Sequence, residues 1–492
     1  MKTPHAQWSA QQEAIFSWFA SASGNLVVRA RAGTGKTTTV LEGINRAPEE
    51  KILLCAFNKK IAEDKLRNPA GEAKTLHSIG FGFVRRNWTN VRPDDGRGER
   101  IARAVVGAQA PDPMVRLVAQ LASRGKGMCP FPRPGQLAEI AVAHGLEPDE
   151  EWEDEGWTVD RLEREASACM ARACEKDGTV DFDDMVFLPV RNRWVRGWWD
   201  LVVVDEAQDM NAAQLLLARG ACRRGGRIAV AGDDRQAIYG FRGADSGSLD
   251  RLKVELGAAE LGLTTTYRCP RAVVALAAKL VPDYRAAPTA PEGTVRVIAE
   301  ERLAGEAMPG DFILSRKNAP LVGVCLRLLR EGKRANVQGR DIGRGLVALL
   351  KKLKAKSIPD FLSRLAKWEG REEARLAASG KESAEARIEV VHDMADTLRA
   401  LSEGLSGPKE LETRIEALFS DSGPDSRIVV CSSVHRAKGL EADRVFVLEY
   451  TLTRSQPGKP PPAREETNIE YVAITRARSE LVWVRKPEET PS

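Results

Sequence analysis

The residues best placed to do chemistry lie between Leu26 and Val40, in LVVRARAGTGKTTTV. The apolar run Leu26 to Val28 reads as a buried strand, and Lys36 and Thr37 open a segment that reads as a helix. Between them, successive backbone N–H groups and a helix N-terminus would face one concavity, where an anion is favoured. Gly33 and Gly35 suit that turn, because a Cβ would block both the turn and the approach of phosphates. Lys36 is expected to reach the β- and γ-phosphates, and the Thr37 hydroxyl to hold Mg²⁺. Ala32, Thr34 and Thr38 complete the candidate loop. The strict G-x-x-x-x-G-K-T pattern is missed by one methyl, Ala30 standing at its first position. The chemistry implied is the binding of a nucleoside triphosphate.

Two further stretches add reactive groups. DEAQD, Asp205 to Asp209, follows the apolar run Leu201 to Val204, and ligands of open α/β sheets bind at such strand ends. Asp205 has the place of a Mg²⁺-binding carboxylate, and Glu206 that of the base that orients an attacking water. Phosphoryl transfer needs little beyond such positioning and charge stabilisation. GDDRQAIYGFRGA, Gly232 to Ala244, follows another apolar run, Arg227 to Ala231. Gln236 is placed to contact a γ-phosphate. Tyr239, Phe241 and Arg242 are candidates for nucleic acid, since a ring face stacks on any base for about 1–3 kcal/mol. The alternative for either ring is a place in the core, because alternate residues of an extended segment face opposite sides.

The elements that must position these groups alternate between strand and helix, as in a parallel α/β sheet. Gln7 to Ala20 has helical spacing, Lys51 to Phe57 reads as a strand, Asn58 to Arg67 as a helix, and Lys74 to Phe83 as a short strand and turn. Between about Arg85 and Trp199 the pattern is mostly helical, with Pro/Gly loops and an acidic run from Asp149 to Glu155. A second α/β series begins near Leu261, with a helix at Pro270 to Leu280, strands at Thr294 to Ile298 and Asp311 to Leu314, and a helix at Ala319 to Glu331. Asp341 to Ser420 is helical and rich in charge, and reads as a small inserted bundle. Strand and helix return at Arg427 to Leu448 and Ile469 to Val484.

Composition sets the outer limits. The 492 residues are 43% hydrophobic and 29% charged, enough for several domain-sized cores. The net charge of +5 is compatible with a polyanion partner without requiring one. Eight cysteines never form a C-x₂-C pair and only five histidines are present, which argues against a zinc site and for a reducing compartment. No signal pattern and no long uncharged apolar run is read, so an intracellular chain with no membrane partner is expected.

The order of these motifs resembles that of the UvrD/Rep/PcrA-like helicases of superfamily 1, most closely the smaller members typified by the F-box DNA helicases and phage-encoded relatives. That family carries A-x-A-G-T-G-K-T, matched by residues 30–37. The resemblance implies two RecA-like parallel-sheet domains with mostly helical insertions in each. The expected bounds are residues 1–84 and 173–265 for the first, with an insertion at 85–172, and 266–340 and 425–492 for the second, with an insertion at 341–424. It also implies that Gln11 reads adenine, that Phe57 and Asn58 of FNKKIA meet single-stranded DNA, and that Thr75 and His77 of TLHS form a DNA-contacting loop. DFDDM, residues 181–185, matches a family segment expected to be structural. In the second half the resemblance assigns Tyr267 to stacking on adenine and Arg268 to the γ-phosphate. It assigns His435 to DNA, Glu441 to the ribose, and Arg476 to the role of an arginine finger, which can contribute about 10³–10⁵ in rate.

The function implied is an ATP- and Mg²⁺-dependent DNA helicase or translocase, moving 3′ to 5′ on single-stranded DNA and single/double-strand junctions as a monomer, in DNA repair or recombination. ATP bound between the two domains would favour closure, and hydrolysis would favour opening. Both insertions are short for the family, so strand separation is expected to be weak alone or to need a protein partner. Two other readings stay open: a DNA-stimulated ATPase acting as a switch or remodeller, and RNA as the track.

Overall fold

The computed structural model describes residues 8–21, 23–55, 68–148, 152, 155–238, 248–378, 384–420, 427–453 and 463–486. Contacts divide the chain into two compact units, Met1–Arg31 with Gly35–Leu263, and Ala32–Thr34 with Thr264–Ser492.

The first unit is built on six parallel strands: β1 (Leu26–Ala30), β2 (Ile52–Cys55), β3 (Gly71–Lys74), β6 (Trp199–Val204), β7 (Cys222–Gly232) and β8 (Ala259–Leu263). Their order across the sheet is β3-β2-β6-β7-β1-β8. Two further strands, β4 (Arg92–Pro93) and β5 (Thr179–Val180), pair parallel with each other and stand at either end of the helical segment between them. The central strands read as near-continuous apolar runs because both sheet faces are covered. Their side chains alternate accordingly. Val27, Leu53, Val202 and Val204 enter one core, whereas Leu26, Val28, Ile52, Leu54, Leu201 and Val203 enter the core on the other face. Each such side chain contributes roughly 1.5–3 kcal/mol on full burial.

This order decides where the reactive loops meet. β7 pairs with β1 on one side and with β6 on the other, so the loops that follow these three parallel strands emerge together at the carboxyl ends of adjacent central strands. The helical segment from Arg97 to Ala173 has its own apolar core, including Trp88, Val118, Leu121, Leu162 and Phe187. The helix expected at Asn58 to Arg67 lies outside the described residues, and among those described one element differs in kind from the sequence expectation. After β3 ends at Lys74, residues Leu76–Asn87 form a helix, not a strand and turn. The Ser78 amide donates to the Thr75 hydroxyl at 3.2 Å, which caps that helix.

The second unit carries seven parallel strands: β11 (Thr294–Ala299), β12 (Phe312–Ser315), β13 (Ala335–Gln338), β14 (Phe419–Ser420), β15 (Val429–Ser433), β16 (Ala442–Leu448) and β17 (Ala477–Arg485), in the order β11-β17-β16-β12-β15-β13-β14. A separate pair, β9 (Thr265–Thr266) and β10 (Arg285–Ala286), precedes them. Helices Arg340–Leu353, Ile358–Ala378, Ala384–Ser402 and Pro408–Leu418 occupy the charge-rich stretch. Their buried Leu346, Leu350, Phe361, Leu365, Leu398 and Ile415 join the core that also holds Ile313, Val337 and Val429 of the sheet. Among the described residues no helix is long and apolar enough to cross a membrane.

Candidate nucleotide and nucleic-acid sites

The helix Lys36–Arg46 starts directly after β1 and its loop. Gly33 and Gly35 have φ of 69° and 77°, the left-handed region that favours glycine. A Cβ on Gly35 would meet only Gln12 Nε2, at 3.8 Å, so the demand there is conformational. No side chain caps this helix at its N-cap and its first turn holds no acid, which suits an anion at its N-terminus. Thr37 Oγ1 donates to Asp205 Oδ2 at 2.7 Å, and Lys36 Nζ bridges Asp205 and Glu206, with Glu206 Oε1 at 2.9 Å. Burial works against the Lys36 ammonium, but Asp205 and Glu206 outweigh it and raise its pKa. Lys36 is therefore a fixed cation at neutral pH. A hydroxyl beside a carboxylate is a hard-oxygen donor set that suits Mg²⁺, with phosphate oxygens completing the shell.

Glu206 is held in an uncommon backbone conformation. Its φ is 55°, a strained value for a side chain of this size and of a kind that clusters at functional sites. The Glu206 amide donates to Asp205 Oδ1 at 2.9 Å, and Gln208 Nε2 donates to Glu206 Oε2 at 2.6 Å. Gln236 Nε2 donates to Asp233 Oδ2 at 2.7 Å, so this predicted γ-phosphate contact sits in the loop after β7 and is tied to Asp233. Ala32, Thr34 and exposed Thr38 flank the glycines and Lys36 in the chain.

Two residues missed in the sequence belong to this unit's site. Gln12 is buried next to half-buried Gln11, and its Nε2 donates to Thr39 Oγ1 at 3.0 Å, which in turn donates to the Gly35 carbonyl at 3.0 Å. Gln12 thus braces the start of the phosphate-loop helix. Gln208 is the other; its spacing from Glu206 is visible in DEAQD, but its use is not.

In the second unit four predicted residues lie near one another. Arg268 pairs with Glu441, and Arg478 Nη1 lies 3.6 Å from the same carboxylate. Tyr267 is 52% exposed, as a ring that stacks on a base requires. Arg476 is fully buried; its guanidinium donates to the carbonyls of Val472 (2.9 Å) and Leu440 (3.2 Å) and to Thr475 Oγ1 (3.1 Å). Burial first, and the like charge of Arg268 second, lower the Arg476 pKa to about 10.

Of the residues expected to meet nucleic acid, Phe57, Asn58, Tyr239, Phe241 and Arg242 lie outside the described residues. Thr75 caps the helix that carries His77. The His77 ring stands 5.4 Å from that of Phe182, which is 59% exposed. Burial lowers the His77 pKa, partly offset by Asp183, so the ring is neutral at pH 7. A groove of about 440 Å³ in the same unit is lined by Phe182, Arg116 and Arg124 together with the acids Asp95, Glu99, Asp181 and Asp183. Phe182 is thus a candidate base-stacking surface that its place in DFDDM did not reveal. His435 is half-buried on the short helix Val434–Ala437 of the second unit.

The rest of DFDDM holds this surface in place. Asp181 caps the helix Phe182–Arg191, and Asp184 N donates to Asp181 Oδ1 at 2.7 Å. Asp184, fully buried, pairs with Arg97 and with Lys126 Nζ at 2.7 Å. Burial opposes the charge on both cations, but Asp184 and its acidic neighbours outweigh it and raise their pKa values.

Residues 8–256 match the UvrD/REP helicase N-terminal domain, which covers the phosphate loop, DEAQD and GDDRQ together. The chain belongs to the UvrD/REP helicase family. Residues 342–485 match the UvrD-like helicase C-terminal domain. The chain is 26% identical to F-box DNA helicase protein 1 of Schizosaccharomyces pombe, over 93% of its own length and 55% of that protein. It is 25% identical to the ATP-dependent DNA helicase PcrA of Bacillus subtilis, over 48% of the chain and 34% of the relative. With the ATP-dependent DNA helicase Rep of Escherichia coli it shares 23% identity, over 50% of the chain and 39% of the relative. The chain thus spans about half, or less, of the curated relatives it matches. Membership of the UvrD/REP family implies the use of ATP, in agreement with the loop around Lys36.

Proposed function

We propose that this chain is an ATP-dependent helicase or translocase on single-stranded DNA, moving 3′ to 5′. The observation that carries the reading is the cluster of Lys36, Thr37, Asp205 and Glu206 at the carboxyl ends of central strands of one parallel sheet. Lys36 and the backbone N–H groups from Ala32 to Thr38 bind the phosphates, while Thr37 and Asp205 hold Mg²⁺. The ion, when bound, neutralises charge on the transferred phosphoryl group. Glu206 accepts a proton from, and orients, the attacking water, and Gln236 contacts the γ-phosphate. Gln11, Tyr267 and Glu441 are proposed to recognise adenine and ribose, and Arg268 and Arg476 to stabilise transition-state charge. Thr75, His77, His435, Phe57, Asn58, Tyr239, Phe241 and Arg242 are proposed DNA contacts, joined by Phe182. Residues 1–84 with 173–265, and 266–340 with 425–492, would be the motor domains, with 85–172 and 341–424 as accessory subdomains.

A strand-displacement assay with single tails of each polarity, at saturating ATP and Mg²⁺, tests this. Displacement from the 3′-tailed duplex and not from the 5′-tailed one is expected, weak alone or raised by a protein partner. Displacement only from the 5′-tailed duplex would refute the polarity. ATPase activity stimulated by DNA with no displacement from either duplex would favour the switch or remodeller reading.

A further inference from the structure

Arg31 occupies the second position of ARAGTGKT, and its long, charged side chain is only 7% exposed. Its Nη1 lies 2.7 Å from Asp234 Oδ1 and 3.3 Å from Asp233 Oδ1. Asp234 is shared with Arg29 Nη1 at 3.2 Å, and Arg29 runs on to Glu260 of β8 at 2.9 Å. Two arginines of the phosphate-loop strand and its loop therefore anchor the segment that follows β7.

Asp233 is the branch point of this arrangement. Its Oδ2 accepts from Gln236 Nε2 at 2.7 Å, and its main-chain N–H donates to Gln208 Oε1 at 3.0 Å. Because the Gln208 carbonyl is used there, its NH₂ is turned to Glu206 Oε2, 2.6 Å away. Gln208 is fully buried, so neither end of its amide has water as a substitute partner. Gly232 reserves the space: a Cβ at that position would stand 2.5 Å from Gln208 Oε1.

We propose that Arg31 is a positioning residue for hydrolysis, fixing Asp233 so that Asp233 orients Gln236 directly and Glu206 through Gln208. The chain of contacts runs Arg31–Asp233–Gln208–Glu206, with Gln236 as its branch, and it joins the loops after β1, β7 and β6. Burial pushes the Asp233 carboxyl up to about 6, and Arg31 is the foremost group opposing that rise. Without Arg31 the buried carboxyl would face Asp234 with less opposition, and its hold on Gln236 would weaken. An ordinary structural ion pair would affect stability alone. A positioning contact affects turnover at unchanged ATP affinity.

The inference rests on the roles proposed above for Glu206 and Gln236, and a double-mutant cycle separates the two. Steady-state ATPase would be measured on the full chain with saturating single-stranded DNA for the wild type, Arg31→Met, Arg31→Lys, Gln208→Leu and Arg31→Met/Gln208→Leu. Binding of a fluorescent non-hydrolysable ATP analogue and thermal unfolding would be followed on the same samples. Arg31→Met is expected to lower kcat about tenfold while KM for ATP and analogue affinity change less than about twofold. Arg31→Lys should recover much of the loss, and the double variant should be no slower than the slower single one, as members of one network are not additive. Wild-type kcat in Arg31→Met, a loss confined to KM, or multiplicative losses in the double variant would overturn the inference. If Arg31→Met does not fold, Asp233→Asn, which keeps shape and removes charge, takes its place; a similar loss of kcat is expected, and wild-type kcat there would overturn the inference. A wild type that binds the analogue and hydrolyses no ATP would refute the proposed function itself. A hydrolysing wild type with multiplicative variants would refute the role of Arg31 alone.

Discussion

Glu206→Gln is expected to lower ATP turnover by about 10²–10⁴-fold, the range typical of a lost general base. ATP binding should survive, because the change is isosteric and removes no group placed on the phosphates. The amide can still accept from Lys36 through its oxygen, in place of the 2.9 Å ion pair. What it cannot do is accept a proton from water. Two losses accompany the exchange and both are small: Lys36 keeps Asp205 as its partner, and Gln208 keeps its bond from the Asp233 amide. Single-turnover ATPase together with analogue binding checks this. Turnover within a few-fold of the wild type would remove Glu206 from the role of base.

Asp184→Ala is expected to destabilise the first unit by about 3–5 kcal/mol, the cost of leaving buried charges without their partner. Arg97 and Lys126 are both almost wholly buried, and Asp184 is the carboxylate they share. Arg97 keeps Asp177 at 3.1 Å and Lys126 keeps Asp181 at 3.0 Å, so the unit should still fold at low temperature. The melting temperature should fall by about 10 °C. A triple replacement, Arg97→Met/Lys126→Met/Asp184→Leu, should cost less than the single change, because the three most deeply buried charges of the cluster are then removed together. Differential scanning calorimetry of the two variants decides it; an Asp184→Ala protein as stable as the wild type would show that the cluster carries little. The functional stake is the helix Phe182–Arg191, since Asp184 holds the helix on which Phe182 faces His77.

The clustering of the candidate nucleotide-site residues was legible because they lie close in sequence to strands that read as apolar runs. LVV before ARAGTGKT and LVVV before DEAQD place Lys36, Thr37, Asp205 and Glu206 at strand ends without knowledge of the sheet. The strand order was not legible, and with it the contacts of Arg31 and Gln208. These depend on β7 lying between β1 and β6, and β1 pairs with it across 203 residues of sequence, Leu26 opposite Ala229. The helix Leu76–Asn87 was misread for a local reason. Gly80 and Gly82 lower its helix propensity and suggest a turn. Gly80 is instead a packing requirement: a Cβ there would stand 2.0 Å from the Met185 carbonyl oxygen. The four helices between Arg340 and Leu418 read as an inserted bundle because charge dominates their composition. Their buried leucines and Phe361 share a core with the sheet, a long-range fact that periodicity does not carry. Arg476 was read from its motif as a finger, whereas its burial and its bonds to Val472, Leu440 and Thr475 are properties of the folded chain.

The central claim is that hydrolysis at the Lys36 site answers to nucleic acid. The steady-state ATPase rate with and without single-stranded DNA, beside single-stranded RNA and a Lys36→Ala control, tests it most directly. The account predicts strong stimulation by DNA, and loss of both basal and stimulated turnover in Lys36→Ala, since Lys36 is the proposed phosphate-binding cation and pairs with both Asp205 and Glu206. Equal rates with and without either nucleic acid, in a chain that still hydrolyses ATP, would contradict it and leave a nucleotide switch in place of a motor.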